Sequence, residues 1–339
     1  MAAKLSIKSV VTAKPAMRLP LIGLGTLQAN DDAVQNAIIA AVEAGYRHID
    51  TAYNYYNEKA IGKALKTLFD SGKIKREELF ITSKLPRTAM RPNLVEEYIN
   101  RCLTDLQLQY VDLYLIHHPV GFEPCEEATP KDAEGYVRLD LTTDHVALWK
   151  AMEAQVDAGR AKAIGVSNFT PAQVDRILKN ARIPPAVNQV EFHLYFQQKE
   201  MQVWSKKTGV NLTAYSPLGS PSLVGSFISN GTIDSSKGVG PLSDPVVGRI
   251  AKTHKKTPAQ VLLRHIIQLG VVAIPKSSKP ERVKENLQGS PNLVFDFELS
   301  NAEMSELNAL DKEEHGRIFH LPTLIKGYDR HPENPYPKL

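Results

Sequence analysis

The feature that most constrains this chain is an alternation repeated eight times along it, a short apolar run followed by a longer amphipathic segment. The apolar runs fall at 21–23, 48–49, 79–83, 113–116, 163–166, 186–189, 212–215 and 271–274. Segments with helical spacing of apolar residues occupy 32–44, 58–69, 93–106, 146–158, 171–180, 199–208, 258–269 and 280–288. Runs this short, separated by helices, predict parallel strands joined by crossovers. Eight such units close into a (β/α)8 barrel, the TIM-barrel architecture, which takes about 250 residues and tolerates long insertions. The 339 residues fit one such domain spanning 1–339.

Thr170-Pro171-Ala172-Gln173, Thr257-Pro258-Ala259-Gln260 and Ser300-Asn301-Ala302-Glu303 have the pattern of a capping box, the last opening an extra helix. Residues 5–7 and 10–12 predict an N-terminal hairpin closing one end of the barrel. Three stretches, 119–144, 216–244 and 313–339, exceed ordinary connections and are expected to wall a pocket. The third is a C-terminal tail over the active-site rim.

In such barrels chemistry sits where the strands end. Strand two ends in Asp50, with Tyr53, Tyr55 and Tyr56 just beyond. Strand three ends in Lys84, strand four in His117-His118, strand five in Ser167-Asn168 and strand six in Gln189. Tyr215-Ser216 and Lys276-Ser277 end strands seven and eight. Packing does not account for polar groups at one rim, strand after strand, because burying an unpaired charge is costly. Asp50, Tyr55, Lys84 and His117 make chemical sense together as a carbonyl-reducing set. A phenol is a poor acid near neutrality, and an adjacent ammonium such as Lys84 lowers its pKa. Asp50 would hold the lysine charged, and a neutral His117 would donate a hydrogen bond to the substrate oxygen.

Composition excludes several other classes. The net charge of +4 comes from scattered basic residues mostly set beside acids, as in Lys73-Ile74-Lys75-Arg76-Glu77-Glu78, which reads as a solvated face and not a nucleic-acid patch. Two cysteines, Cys102 and Cys125, give neither a disulfide framework nor metal spacing and point to a reducing compartment. The first eleven residues lack the apolar core of a signal peptide, and no run approaches the ~20 apolar residues of a membrane span. The expectation is a cytoplasmic monomer without nucleic-acid or membrane partners. A barrel metallohydrolase is a rival reading. His117 and His118, adjacent on a strand, would point to opposite faces and make poor joint ligands.

The motifs resemble those of the aldo-keto reductase family. Gly45-Tyr46-Arg47-His48-Ile49-Asp50-Thr51-Ala52-Tyr53-Asn54-Tyr55-Tyr56-Asn57-Glu58 is similar to its first signature. Ile81-Thr82-Ser83-Lys84-Leu85-Pro86 and Asp112-Leu113-Tyr114-Leu115-Ile116-His117-His118-Pro119 resemble the strands carrying the family's lysine and histidine. Gly165-Val166-Ser167-Asn168-Phe169, Asn188-Gln189-Val190-Glu191, Tyr215-Ser216-Pro217-Leu218-Gly219 and Ile274-Pro275-Lys276-Ser277 follow in order. The resemblance spans roughly residues 5–320 and implies an NADPH-dependent reductase of small-molecule carbonyls, with no metal. It assigns Tyr55 as proton donor, Lys84 and Asp50 as its tuning pair, and His117 as the group orienting the carbonyl. Ser167, Asn168 and Gln189 would hold the nicotinamide carboxamide and Tyr215 would stack on its ring, with Gly25 and Thr26 beside the cofactor. Ser216, Leu218 and Ser220 would line the pyrophosphate. Lys276, Ser277 and Arg282 would grip the ribose 2′-phosphate, and Glu285 and Asn286 would face the adenine. Cationic donors near a helix start suit that phosphate independently.

The pocket departs from the best-known pattern. His118 replaces a common tryptophan, Leu27 a common aromatic, and Asn54 a common apolar residue, so the pocket is expected to be more polar and to lean toward hydroxylated substrates such as sugars. Phe319, Leu321 and Tyr328 of the tail are expected to close it. Tyr55 and Lys59 also form the Tyr-x-x-x-Lys pair of short-chain dehydrogenases, but Gly23-Leu24-Gly25-Thr26 lacks that group's Gly-x-x-x-Gly-x-Gly loop. The alternative from another class is a non-catalytic relative that binds NADPH in a structural or regulatory role.

Overall fold

The computed structural model describes residues 5–13, 17–27, 29–222, 224–225, 240–289 and 292–337. A hairpin of β1 (Val10–Ala13) and β2 (Met17–Pro20) comes first. Eight parallel strands follow as one sheet in sequential order: β3 (Leu24–Gly25), β4 (His48–Asp50), β5 (Phe80–Leu85), β6 (Val111–Ile116), β7 (Ala161–Ser167), β8 (Val187–Glu191), β9 (Asn211–Tyr215) and β10 (Val272–Ile274). The barrel closes through bridges from Ile22 to Ala273 and from Gly25 to Lys276. Every residue of β5 and β6 is buried, as expected of strands covered on both sides.

Glycine is required where β3 meets β4. A Cβ on Gly23 would lie 2.3 Å from the His48 ring, so the chain passes the barrel wall there only without a side chain. The first barrel strand forms at Leu24–Gly25, just beyond the apolar run at 21–23.

Helices α1 (Asp31–Ala44), α2 (Glu58–Asp70), α3 (Val95–Leu106), α4 (His145–Asp157), α5 (Pro171–Leu178) and α6 (Lys199–Thr208) follow strands β3 to β8 in turn. After β9 come α7 (Pro245–His254) and α8 (Pro258–Gln268), and α9 (Pro280–Leu287) and α10 (Asn301–Asn308) end the helical series around the barrel. All three capping boxes form as the sequence predicts. Helix α7 is absent from the sequence prediction. Its signal was Asp244-Pro245, a cap followed by proline at the first helical position, and Asp244 accepts the Val246 N–H at 2.8 Å.

The hairpin departs from prediction in its partner. Residues 5–7 form no strand, and Val10–Ala13 pairs instead with Met17–Pro20, Val10 lying opposite Pro20. Met17 and Leu19 are buried while Arg18 is exposed, the period-two pattern that decides the pairing. Asn211 Nδ2 donates to Thr12 O at 3.1 Å, which sets the hairpin over the end where the strands begin, away from the rim. The tail packs on the 119–144 stretch through a small apolar cluster of Val120, Phe122, Val137, Tyr328 and Tyr336. No helix among the described residues is long and apolar enough to cross a membrane.

Candidate active site

Period-two alternation turns Asp50, at the end of β4, toward the barrel interior. The chain then makes a 3-10 turn over Tyr53–Tyr55, with Tyr56 in the left-handed region at φ 56°, and this folds Tyr55 back over the rim. Lys84, on β5, is wholly buried below it. Its Nζ lies 2.6 Å from Asp50 Oδ1, 2.7 Å from Thr51 O and 3.5 Å from the Tyr55 hydroxyl. Asp50 Oδ2 accepts Gln189 Nε2 at 2.8 Å, so both carboxylate oxygens are engaged.

Burial opposes the charge on Lys84, but Asp50 and Tyr55 outweigh it and hold the ammonium above its ordinary value. Burial pushes the Tyr55 phenol up, against the pull of Lys84. This corrects the expectation of a lowered phenol pKa. The ammonium does act in that direction, yet burial is the larger influence and Tyr55 stays protonated at neutrality.

His117 follows the last residue of β6, its N–H bonded to Leu85 O at 3.2 Å. Burial, reinforced by Lys84, holds it well below the ordinary histidine value, so the imidazole is neutral. Its ring meets Tyr55 edge-on at 5.8 Å. His118 corrects the expectation of opposite faces. Strand β6 ends at Ile116, alternation stops there, and the two histidine rings lie 5.4 Å apart on the same cavity.

A cavity of about 930 Å³ runs from this cluster across the rim to the start of α9, near the upper end of the ~300–1,000 Å³ usual for ligand pockets. Every predicted catalytic and cofactor-binding residue lines it except Lys84, which lies beneath its floor. Asn168, held at φ 67°, is the junction of the near end. Its Nδ2 donates to His117 O at 3.0 Å, and its Oδ1 accepts the Tyr215 hydroxyl at 2.8 Å, fixing the plane of that ring. Ser167 donates to Gln189 O at 2.9 Å, and Thr26 to Asp50 O at 2.9 Å beside Gly25. Ser216 and Ser220, both at positive φ, are joined hydroxyl to hydroxyl at 2.7 Å, with Leu218 between them in the chain. At the far end stand Lys276, Ser277 and Arg282, the last in the first turn of α9, with Glu285 and Asn286 one turn on. Leu27, Asn54 and His118 line the cavity as expected, and Asn54 Nδ2 is buried without a partner among the described residues.

All three long stretches reach the cavity, through Ala128, through Pro217, Ser222 and Leu242, and through Phe319, Leu321 and Tyr336. Residues 226–239 of the second stretch lie outside the described residues. Tyr328 departs from expectation. It is fully buried behind the wall, its hydroxyl 3.5 Å from His118 Nδ1, and it does not line the cavity. Sequence reasoning missed Arg87 and Tyr336. The Arg87 guanidinium stacks over Phe122 at 4.7 Å and has no hydrogen bond or ion pair among the described residues, while the Arg87 backbone carbonyl accepts the Phe122 N–H at 2.9 Å. The available signal was its place three residues past Lys84, just beyond the end of the strand.

Chemically, the near end of the cavity presents a protonated phenol beside a buried ammonium and a neutral imidazole, while its far end presents cations. Residues 21–312 match the family model described as Aldo/keto reductase family. The chain is 43% identical over 321 residues to Aldo-keto reductase family 1 member A1-A of Danio rerio, covering 94% of this chain and 93% of that protein. It is 44% identical over 305 residues to Aldo-keto reductase family 1 member A1 of Mus musculus, covering 90% of each. Among solved structures, the Aldose Reductase from Schistosoma japonicum superimposes with a TM-score of 0.85 at 39% identity, covering 97% of this chain and 99% of that one.

Proposed function

The chain belongs to the aldo/keto reductase family, and from that premise we propose that it is an NADPH-dependent reductase of aldehydes and ketones, with Tyr55 as the proton donor. The observation that carries this reading is the wholly buried Lys84 ammonium set between the Asp50 carboxylate and the Tyr55 hydroxyl under the cavity floor. A phenol protonated at neutrality can give its proton to a carbonyl oxygen. The ammonium then stabilises the phenolate left behind, and Asp50 keeps that ammonium in place. Neutral His117 orients the carbonyl by donating a hydrogen bond.

The cavity suits the cofactor. Ser167, Asn168 and Gln189 offer amide and hydroxyl groups at the near end, and the fixed ring of Tyr215 offers a stacking surface. Lys276 and Arg282 line the far end with no acidic partner among the described residues, which fits the 2′-phosphate of NADPH. When bound, the cofactor supplies the hydride. Arg282→Ala is expected to weaken NADPH by about 10- to 100-fold, the loss of a charged hydrogen bond worth about 1.5–3 kcal/mol. NADH should change little. Fluorescence titration of both cofactors checks this, and equal losses would remove the 2′-phosphate role.

The substrate side leans polar. Only Asp50 and Glu285 are acidic among the described lining residues, Asp50 is paired with Lys84, and Arg87 lacks an acidic partner. Replacing Arg87 by Met should therefore raise KM for a carboxylate-bearing aldehyde by about tenfold. A neutral aldehyde of equal size should be affected much less, and equal effects on both would refute the assignment. The same reading has the protein act as a cytoplasmic monomer, which its free cysteines and scattered exposed hydrophobic residues support.

The direct test follows NADPH consumption with an aromatic aldehyde, xylose, methylglyoxal and a ketosteroid. Turnover of any of them supports the reductase. Tight NADPH binding with no turnover would point to an unusual substrate or to the non-catalytic reading, which a broader carbonyl screen separates.

A further inference from the structure

We propose that Glu191 is a positioning residue for the substrate side of the cavity, its carboxylate gripping the backbone of the C-terminal tail where the tail crosses the rim. This inference rests on the carbonyl-reductase reading above. Glu191 is the last residue of β8, in register with Tyr215, and is wholly buried. Its Oε1 accepts the Ile318 N–H at 2.6 Å and its Oε2 the Phe319 N–H at 2.9 Å. His193 Nε2 lies 3.0 Å from Oε1. A buried carboxylate could satisfy itself within the barrel. This one instead spends both oxygens on two successive amides more than a hundred residues away in the chain.

The surroundings of the grip leave the tail little freedom. Gly316 passes so close to Tyr195 that an added Cβ would meet the Tyr195 carbonyl at 1.8 Å, and Lys312 N–H donates to that same carbonyl at 2.9 Å. Arg317 lies over the rings of Phe196 at 4.3 Å and Tyr336 at 5.1 Å, and is tied to Glu314 at 2.7 and 2.8 Å. Phe319 then meets the Tyr215 ring edge-on at 5.6 Å. Phe319, Leu321 and Tyr336 form the wall facing the reacting end, so the point where the backbone is held sets how far that wall stands from Tyr55.

Glu191→Gln keeps the side chain's size and replaces one acceptor oxygen with a donor that faces an N–H. Hydrogen exchange by mass spectrometry on the full chain should show faster exchange at 318 and 319. KM for a bulky aromatic aldehyde should rise by about tenfold, the scale of a lost charge-assisted hydrogen bond. NADPH affinity and kcat on methylglyoxal should stay within about threefold, since Tyr215 is held by Asn168 and Lys84 by Asp50, neither through the Glu191 carboxylate. Phe319→Ala should shift the same KM in the native background and have little further effect in Glu191→Gln, the non-additivity of groups acting as one unit. Ile318→Pro removes one donor from the tail side and leaves the barrel intact. Arg317 already has the extended backbone, ψ 130°, that a following proline requires. It should reproduce the KM split and covers the case in which Glu191→Gln does not fold. Unchanged exchange with unchanged KM would overturn the proposal. So would equal losses in KM, kcat and NADPH affinity on all substrates, the signature of a purely structural role. If the native protein reduces no carbonyl, the functional reading fails on that result alone. The exchange at 318 and 319 still decides whether the carboxylate holds the tail.

Discussion

Tyr55→Phe is expected to lower kcat by about 10²–10⁴-fold, the usual contribution of a positioned general acid, and to leave NADPH affinity nearly unchanged. The substitution is close to surgical. The ring keeps its edge contact with His117 and its place 5.1 Å from Lys84 Nζ, and only the hydroxyl 3.5 Å from that ammonium is lost. A thousandfold loss corresponds to about 4 kcal/mol of barrier. Some activity should remain, because neutral His117 still offers a hydrogen bond to the substrate oxygen. The pH dependence follows from the sign of the shift. Donation needs the protonated phenol, and burial pushes Tyr55 above its ordinary value near 10. The native rate should therefore hold through neutrality and fall only above about pH 10. Single-turnover kinetics with a cofactor titration separate the two quantities. Comparable single-turnover rates in the two proteins would end the proton-donor assignment.

The barrel was legible because its strands are apolar runs with helices between them, a pattern that survives without any long-range information. All eight strands and the helices between them form close to where the sequence puts them. The misreadings have local causes. Residues 5–7 look like a strand, but Met17-Arg18-Leu19 has the alternation that the hairpin partner needs, and a period over three residues is easily passed over. Helix α7 opens at Asp244, where the prediction had already assigned a long irregular stretch. Its cap was visible but had no strand before it to announce a helix.

The site was legible for a different reason. Strand ends converge in a barrel, so polar residues at those ends are brought together by topology alone. That logic brought Asp50, Lys84, His117 and Gln189 together, and the family resemblance singled out Tyr55 from Tyr53, Tyr55 and Tyr56 beyond strand two. It could not find Tyr336, because nothing in the sequence says where a tail will cross the rim. It could not give the direction of the Tyr55 shift either, because burial and the lysine act in opposite senses and only the structure sets their balance. Alternation also misled at His118, where the strand had already ended.

Lys84→Met tests whether the lysine serves the chemistry, the fold, or both. The ammonium and Asp50 form an ion pair whose side chains are 0% and 2% exposed. Methionine fills similar volume without charge, and among the described residues Asp50 keeps only the amide of Gln189 as a side-chain donor. Leaving one member of a buried pair uncompensated costs about 3–5 kcal/mol, a large part of the ~5–15 kcal/mol that holds a typical domain together. Urea denaturation at neutral pH should show that deficit. Turnover should fall by about 10²–10⁴-fold, because the phenolate formed at Tyr55 loses its counter-charge, and adding Tyr55→Phe should cost little more. The double substitution Lys84→Met with Asp50→Asn separates the roles. It removes the stranded carboxylate and should recover most of the stability, but no phenolate-stabilising charge returns, so the rate should stay low. A single variant as stable as the native protein would show that Asp50 does not depend on the pair. Recovery of turnover in the double variant would show that the ammonium is not needed at Tyr55, and the proton-donor assignment would then lose its main physical support.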